Sequence, residues 1–207
     1  MAEFGTRVVF VSTFNRGLAI TAWALDAFAL VSYIAVHASL RQPLVLVPVA
    51  FVALAAWAVL WRPRLVVDDD GTELRNVFRT VFIPWEALIQ VDTRHALTLF
   101  TPGRRFSAWV APAPGRAAAS RAARAERRGK VGPAPTRDDG TVRPGDLLGT
   151  DSGQAAYLVR DRWSELRDNG RLELGVADTA PVRIQVHVWL SAALLVLLVA
   201  SFFVLLG

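Results

Sequence analysis

Residues 64–88 read RLVVDDDGTELRNVFRTVFIPWEAL, and this stretch decides how the rest of the chain is organised. Leu65-Val66-Val67 is a short β-branched run. Asp68-Asp69-Asp70-Gly71 has the composition of a hairpin turn. Residues 72–77 and 80–83 form two further runs, the second ended by Pro84, which cannot donate to a strand ladder. Downstream, 89–93 and 97–100 lead to the turn Thr101-Pro102-Gly103, and 105–110 alternates until Pro112 and Pro114. Residues 62–112 therefore read as about six short antiparallel strands. Later, Thr150-Asp151-Ser152 opens a helix over 151–170, with Asp151 and Gln154 at capping-box spacing. Ala156, Val159, Trp163 and Leu166 recur at helical intervals, and Asn169-Gly170 closes the element. A single amphipathic helix after a run of strands must bury its stripe, and the open end of a small β-barrel or sandwich accommodates it.

Outward from this module the composition changes. The chain of 207 residues is 53% hydrophobic and only 20% charged, below the quarter usual for soluble domains, and its mean hydropathy is +0.35. That imbalance points to membrane spans. Residues 17–40 contain one acid, Asp26, and one histidine, His37, and exceed the length needed to cross roughly 30 Å of hydrocarbon. The apolar core of a secretory signal is only about 7–15 residues, and here a second apolar run, 44–61, follows at once. Arg41-Gln42-Pro43 between them reads as the turn of a tight helical hairpin. A third run, 188–206, has Ser191 and Ser201 as its only polar side chains. Trp61 and Trp189 stand at span ends, where amphipathic rings favour the headgroup layer. The expected architecture is membrane α+β: three transmembrane helices, a hairpin plus a C-terminal span, carrying a small antiparallel barrel or sandwich with a C-terminal helix. Residues 1–16 read as an N-terminal tail and 171–187 as a linker.

A hairpin returns the chain to the side it left. Arg7, Arg16, Arg62, Arg64, Arg75, Arg79, Arg171 and Arg183 then lie near the spans on one face, against Arg41 on the other. The positive-inside bias puts the N-terminus and the central domain in the cytoplasm and the C-terminus outside a bacterial plasma membrane. Of the 23 basic residues only Lys130 is lysine, an Arg and Ala bias in keeping with a GC-rich bacterial genome.

Strands closed by one helix and mounted on spans resemble a bacterial pleckstrin-homology (PH) domain. The residues that carry the resemblance are Arg62-Pro63-Arg64-Leu65-Val66-Val67-Asp68, Gly71, Leu74-Arg75-Asn76 and Ile83-Pro84-Trp85-Glu86-Ala87-Leu88-Ile89. The order V-x-D-x-x-G, R-N, R-x-x-x-x-P-W-x-x-L is similar to the actinobacterial membrane family typified by low molecular weight protein antigen 6, whose PH domain follows two apolar helices. The third span and the 113–150 insertion depart from that short form. The resemblance implies a PH-like fold and transfers no catalytic residue, because that family has no established reaction.

The remaining candidates for chemistry are few. With no cysteine, disulfides, thiolate catalysis and Cys-based zinc sites are excluded. The Asp68–Asp70 turn fails as a calcium loop, since an EF-hand with Gly71 at its sixth position needs acids where Val66 and Val77 stand. The same three carboxylates repel a phosphorylated headgroup from the loop by which phosphoinositide-binding PH domains hold it. His37, His95 and His187 share no metal-ligand spacing, and no nucleophile elbow or phosphate loop occurs. No cofactor is expected, and the chain reads as non-enzymatic. Trp85 reads as a core residue capping the barrel, the alternative being a binding anchor.

Two features point to partners. The 113–150 insertion is rich in Ala, Arg, Gly and Pro and reads as a mobile loop. Within it the run 116–130 holds Arg116, Arg121, Arg124, Arg127, Arg128 and Lys130 against one acid, Glu126, and reads as a contact for anionic lipid, the alternative being a solvated loop. Nucleic acid is disfavoured because the stretch lacks aromatic stacking groups. In the first span, Ala19, Ala22, Asp26, Ala29, Tyr33 and His37 share a face at 100° per residue. Small and polar groups on one stripe suit helix packing with hydrogen bonds across it, within the chain's own bundle or against another membrane subunit. The functional expectation is an accessory subunit or scaffold of a larger membrane assembly; the alternative is a sensor of anionic lipid working through 113–150.

Overall fold

The computed structural model describes residues 7–37, 43–135, 142–173 and 175–206. The side chains of His37 and Pro43, the turn residues Arg41 and Gln42, and 136–141 of the insertion lie outside the described residues. Two compact units emerge, one containing the strands and the other the apolar helices.

The first unit holds two antiparallel sheets. Strands β2 (Arg64–Val67), β3 (Gly71–Arg75), β4 (Arg79–Pro84), β5 (Gln90–Asp92), β6 (Ala96–Thr101) and β7 (Arg104–Pro112) follow the six runs of the sequence. Two further strands come from segments read as tail and linker: β1 (Val8–Phe10) and β8 (Arg183–Val186). They complete a five-stranded sheet in the order β1-β2-β3-β4-β8, beside a three-stranded sheet β5-β6-β7. The tail and linker readings are thereby corrected. Val8, Val9 and Phe10 pair with Val67, Val66 and Leu65, a β-branched and aromatic run whose Phe10 enters the core. The domain is thus assembled from chain segments on both sides of the apolar helices.

Asn76 ties the two sheets together. Its Nδ2 donates to the Ser107 carbonyl at 2.8 Å, and its Oδ1 accepts from the Trp109 amide at 2.8 Å. One amide side chain thus satisfies a donor and an acceptor on the edge of β7, as a neighbouring strand would. The acidic turn is equally defined. Asp68 Oδ1 accepts from the amides of Asp70 and Gly71, an Asx turn. A Cβ on Gly71 would fall 2.9 Å from the Phe82 ring and closer still to the Ile83 carbonyl, so only glycine fits.

Helix α4 (Asp151–Asp168) covers the sheets, burying Ala155, Ala156, Val159 and Leu166 against Leu65, Leu74, Leu97 and Leu99. Its N-cap is Thr150 rather than Asp151: Thr150 Oγ1 accepts from the Gly153 amide at 3.1 Å, and Asp151 instead accepts from the Ser12 hydroxyl at 2.6 Å. Gly170, at φ 65°, follows the helix, where glycine avoids the Cβ penalty of a left-handed residue. Trp85 is 1% exposed within the same core, and its Nε1 donates to the Asp68 carbonyl at 3.0 Å.

The second unit contains α1 (Thr13–His37), α2 (Leu46–Ala56) and α5 (Val188–Leu206). Among the described residues two helices are long and apolar enough to cross a membrane, Thr13–Val36 and Val188–Leu206; the expected third, Leu46–Trp61, is shorter. Its bounds have a local cause. Pro43–Val45 makes only a 3₁₀ turn, and Trp57–Trp61 widens into a π turn closed by the Arg62 amide on the Trp57 carbonyl at 2.8 Å. Pro63 then removes the next donor. Helix α2 packs against both α1 and α5. At one end Trp23 donates to the Ala53 carbonyl at 3.1 Å, its ring lies 5.3 Å from that of Trp61, and the Arg16 guanidinium stands 5.0 Å over Trp61.

Candidate functional site

Three features of the molecule have the chemistry to bind something: a groove and a basic helix in the strand-bearing unit, and one carboxyl in the helical unit.

The groove runs between the edge strand β5 and helix α4 and has a volume of about 570 Å³. Ile89 and Val91 form one wall, Tyr157, Trp163 and Arg167 another, and Pro133 and Pro135 of the insertion the third. A buried network fixes its floor. Asp146 Oδ1 accepts from Thr93 Oγ1 at 2.9 Å and from Arg160 Nη1 at 2.8 Å, while Arg160 Nη2 donates to the Val91 carbonyl at 3.1 Å. Arg160 thereby occupies an acceptor on the open edge of β5, one of the ways proteins blunt an edge strand. Arg143 pairs with Asp92 beside it. Gly145 is pressed against the Thr93 backbone, where a Cβ would clash. Residues 143–146 of the insertion are therefore locked to β5 and α4. Sequence reasoning missed this groove because its walls come from three distant segments; the Arg160 and Asp146 pairing carries no local signal.

The 113–150 stretch, read from composition as a loop, contains helix α3 (Arg116–Arg127). Few large apolar groups preclude a core but not a helix, and Ala and Arg are among the best helix formers. The helix docks through Ala122, which with Ala134 and Leu147 forms a small buried cluster. Glu126 Oε1 accepts from the Ala134 amide at 2.6 Å, which places Pro133 and Pro135 against the groove. Arg116, Arg121, Arg124, Arg127, Arg128 and Lys130 are all exposed.

The acidic turn is occupied from within. Arg162 of α4 pairs with Asp69 and, at 2.6 Å, with Glu165. Burial works against the charge of Arg162, but these hydrogen bonds outweigh it and hold its pKa above the ordinary arginine value. Among the described residues no group of three His, Asp or Glu is placed to hold a metal ion.

In α1, Ala22, Asp26 and Tyr33 are half-buried and Ala19 is fully buried, so these share the packed side of the helix. Ala29 is exposed; it stands about 60° round from Asp26 at 100° per residue, and Leu30 takes the inward place. His37 is the last residue of α1, its side chain outside the described residues. The Asp26 carboxyl makes no hydrogen bond or ion pair with any described residue.

An antiparallel sheet fold closed by one C-terminal helix, with the R-N and P-W positions serving as sheet clamp and core cap, defines a PH-like domain. The sequence matches the family described as Bacterial PH domain over residues 62–168. The chain belongs to that family. The matched region contains the groove and α3 but neither β1 nor β8. Comparison with curated proteins and with solved structures gave no match. PH domains are in general non-enzymatic modules.

Proposed function

We propose that this chain is a non-enzymatic multi-pass protein of a bacterial plasma membrane, an accessory subunit or scaffold that joins a larger membrane assembly through its helices and carries its PH-like domain on the cytoplasmic side. The observation that carries the reading is Asp26, a carboxyl midway along a 25-residue apolar helix with no partner among the described residues. An acid near mid-bilayer costs at least ~2.5 kcal/mol on insertion scales and is held where something pairs with it. A hydrogen-bond donor on a helix of another subunit supplies that pairing. The outward-facing Leu25, Phe28 and Val31 of α1 and Phe202, Phe203 and Leu205 of α5 support the membrane setting, since large apolar side chains crowd the outside of both helices. In this reading α2 is the short middle span of three. The resemblance to the actinobacterial antigen 6 family is in keeping with an anchored PH domain.

The test is co-purification in mild detergent. Asp26→Leu is expected to leave the isolated chain as stable as before and to remove a stoichiometric membrane partner, whereas Asp26→Asn, which keeps hydrogen bonding, retains it. Unchanged co-purification with leucine contradicts the partner contact. Sidedness is tested separately: a reporter after Gly207 is expected outside and one inserted within 136–141 inside, and the reverse pattern overturns the topology.

A further inference from the structure

We propose that the cationic face of α3 is a contact for the anionic lipid of the membrane in which the chain is anchored, a proposal that rests on the membrane reading above. At 100° per residue, Arg116, Arg121, Arg124 and Arg127 fall within an arc of roughly 140°, while Ala119, Ala122 and Glu126 occupy the opposite side, where the helix docks. Arg128 and Lys130 extend the basic surface past the helix end. All six cations are exposed and none forms an ion pair with a described residue. Glu126 is the only acid between 116 and 130, and its carboxylate is engaged by the Ala134 amide on the docked side. Among the described residues the outer face is therefore positive without internal compensation.

That charge matches a surface rather than a single headgroup. The cations are spread from Arg116 to Lys130, with Arg127 beside a cavity of about 400 Å³, so they suit many phosphates presented together. The stretch has no aromatic residue, which leaves a single-stranded nucleic acid without stacking platforms. The acidic turn at Asp68–Asp70 lies in another part of the domain, with Asp69 already paired to Arg162, so this contact is distinct from headgroup capture by that loop. Connectivity supplies the proximity: the apolar run ends at Trp61 and β2 begins at Arg64, while β8 ends at Val186 and α5 begins at Val188. Tethers this short keep the domain at the leaflet, where polybasic segments gain from the negative surface potential within about one Debye length, ~10 Å at 0.1 M salt.

The chain has no cysteine, so Ser120→Cys, at an exposed position within the cationic arc, takes a single fluorophore on the full-length protein. The labelled protein is reconstituted in vesicles of phosphatidylcholine, or of phosphatidylcholine with phosphatidylglycerol, each containing a headgroup-nitroxide lipid quencher. Quenching is expected to rise several-fold with phosphatidylglycerol and to fall back in high salt. It should be lost when Arg121, Arg124, Arg127 and Arg128 are all replaced by Gln, and retained when they are replaced by Lys. Equal quenching in both vesicles, or quenching that survives the Gln replacements, overturns the lipid contact. Failure of the membrane reading has a different signature: the chain would not float with vesicles of either composition.

Discussion

Helix α4 runs 18 residues and sinks Ala155, Ala156, Val159 and Leu166 into the core of both sheets. Helix α3 runs 12 residues and buries only Ala122, against Ala134 and Leu147. The two are consecutive in the chain and differ in almost every stabilising term. Helix α4 has a side-chain N-cap in Thr150, whereas the N-cap of α3 is Gly115 with no side-chain bond. Helix α3 persists through the propensity of Ala and Arg, through Arg124 and Arg127 in its last turn, where positive charge suits the helix dipole, and through the Glu126 bond to Ala134. A 12-residue helix of this kind is marginal on its own. Large apolar residues report on burial and not on helicity, so one helix belongs to the folding core and the other is a surface laid on it.

The largest effect is expected at Leu166, which is 2% exposed in the main core. Leu166→Ala is expected to cost about 2–5 kcal/mol, the range for truncating a buried leucine, and to lower the melting temperature of the whole domain in detergent. A change of under ~1 kcal/mol would show that α4 is not part of the cooperative core. The matching lesion in α3 is smaller. Glu126→Ala removes one charge-assisted bond, about 1.5–3 kcal/mol at most, and its effect is confined to α3 and the Pro133–Pro135 wall. Global melting should then be unchanged.

How much of this was legible follows from where each signal lies. The six strands β2 to β7 are written locally, in β-branched runs separated by Asp-Gly, Pro-Gly and Pro punctuation. Strands β1 and β8 are not: Val8-Val9-Phe10 and Arg183-Ile184-Gln185-Val186 are short, the partner of β1 lies beyond two apolar helices and that of β8 about a hundred residues upstream in β4, so only long-range pairing identifies them. The R-N and P-W pairs stood out as motifs, yet their reasons, a clamp on β7 and a capped tryptophan in the core, are tertiary. Thr150 and Asp151 are both good caps, and the choice between them depends on Ser12, 139 residues from Asp151. The basic residues of α3 and the polar stripe of α1 were visible as residues. What sequence could not show was that Glu126 is spent on Ala134, that Ala29 turns outward, or that Pro133, Val91 and Tyr157 converge on one groove.

Native-state hydrogen exchange on the full-length protein, resolved by segment, tests the central contrast most directly, because amides of a core helix exchange only through global opening and those of a surface helix through local opening. The amides of α4 around Val159 and Leu166 are expected to be the slow set and to follow global stability. Those of α3 around Ala122 should exchange orders of magnitude faster, and faster still in Glu126→Ala while α4 is unaffected. Equal protection of α3 and α4, or a loss of α4 protection on Glu126→Ala, would contradict the account.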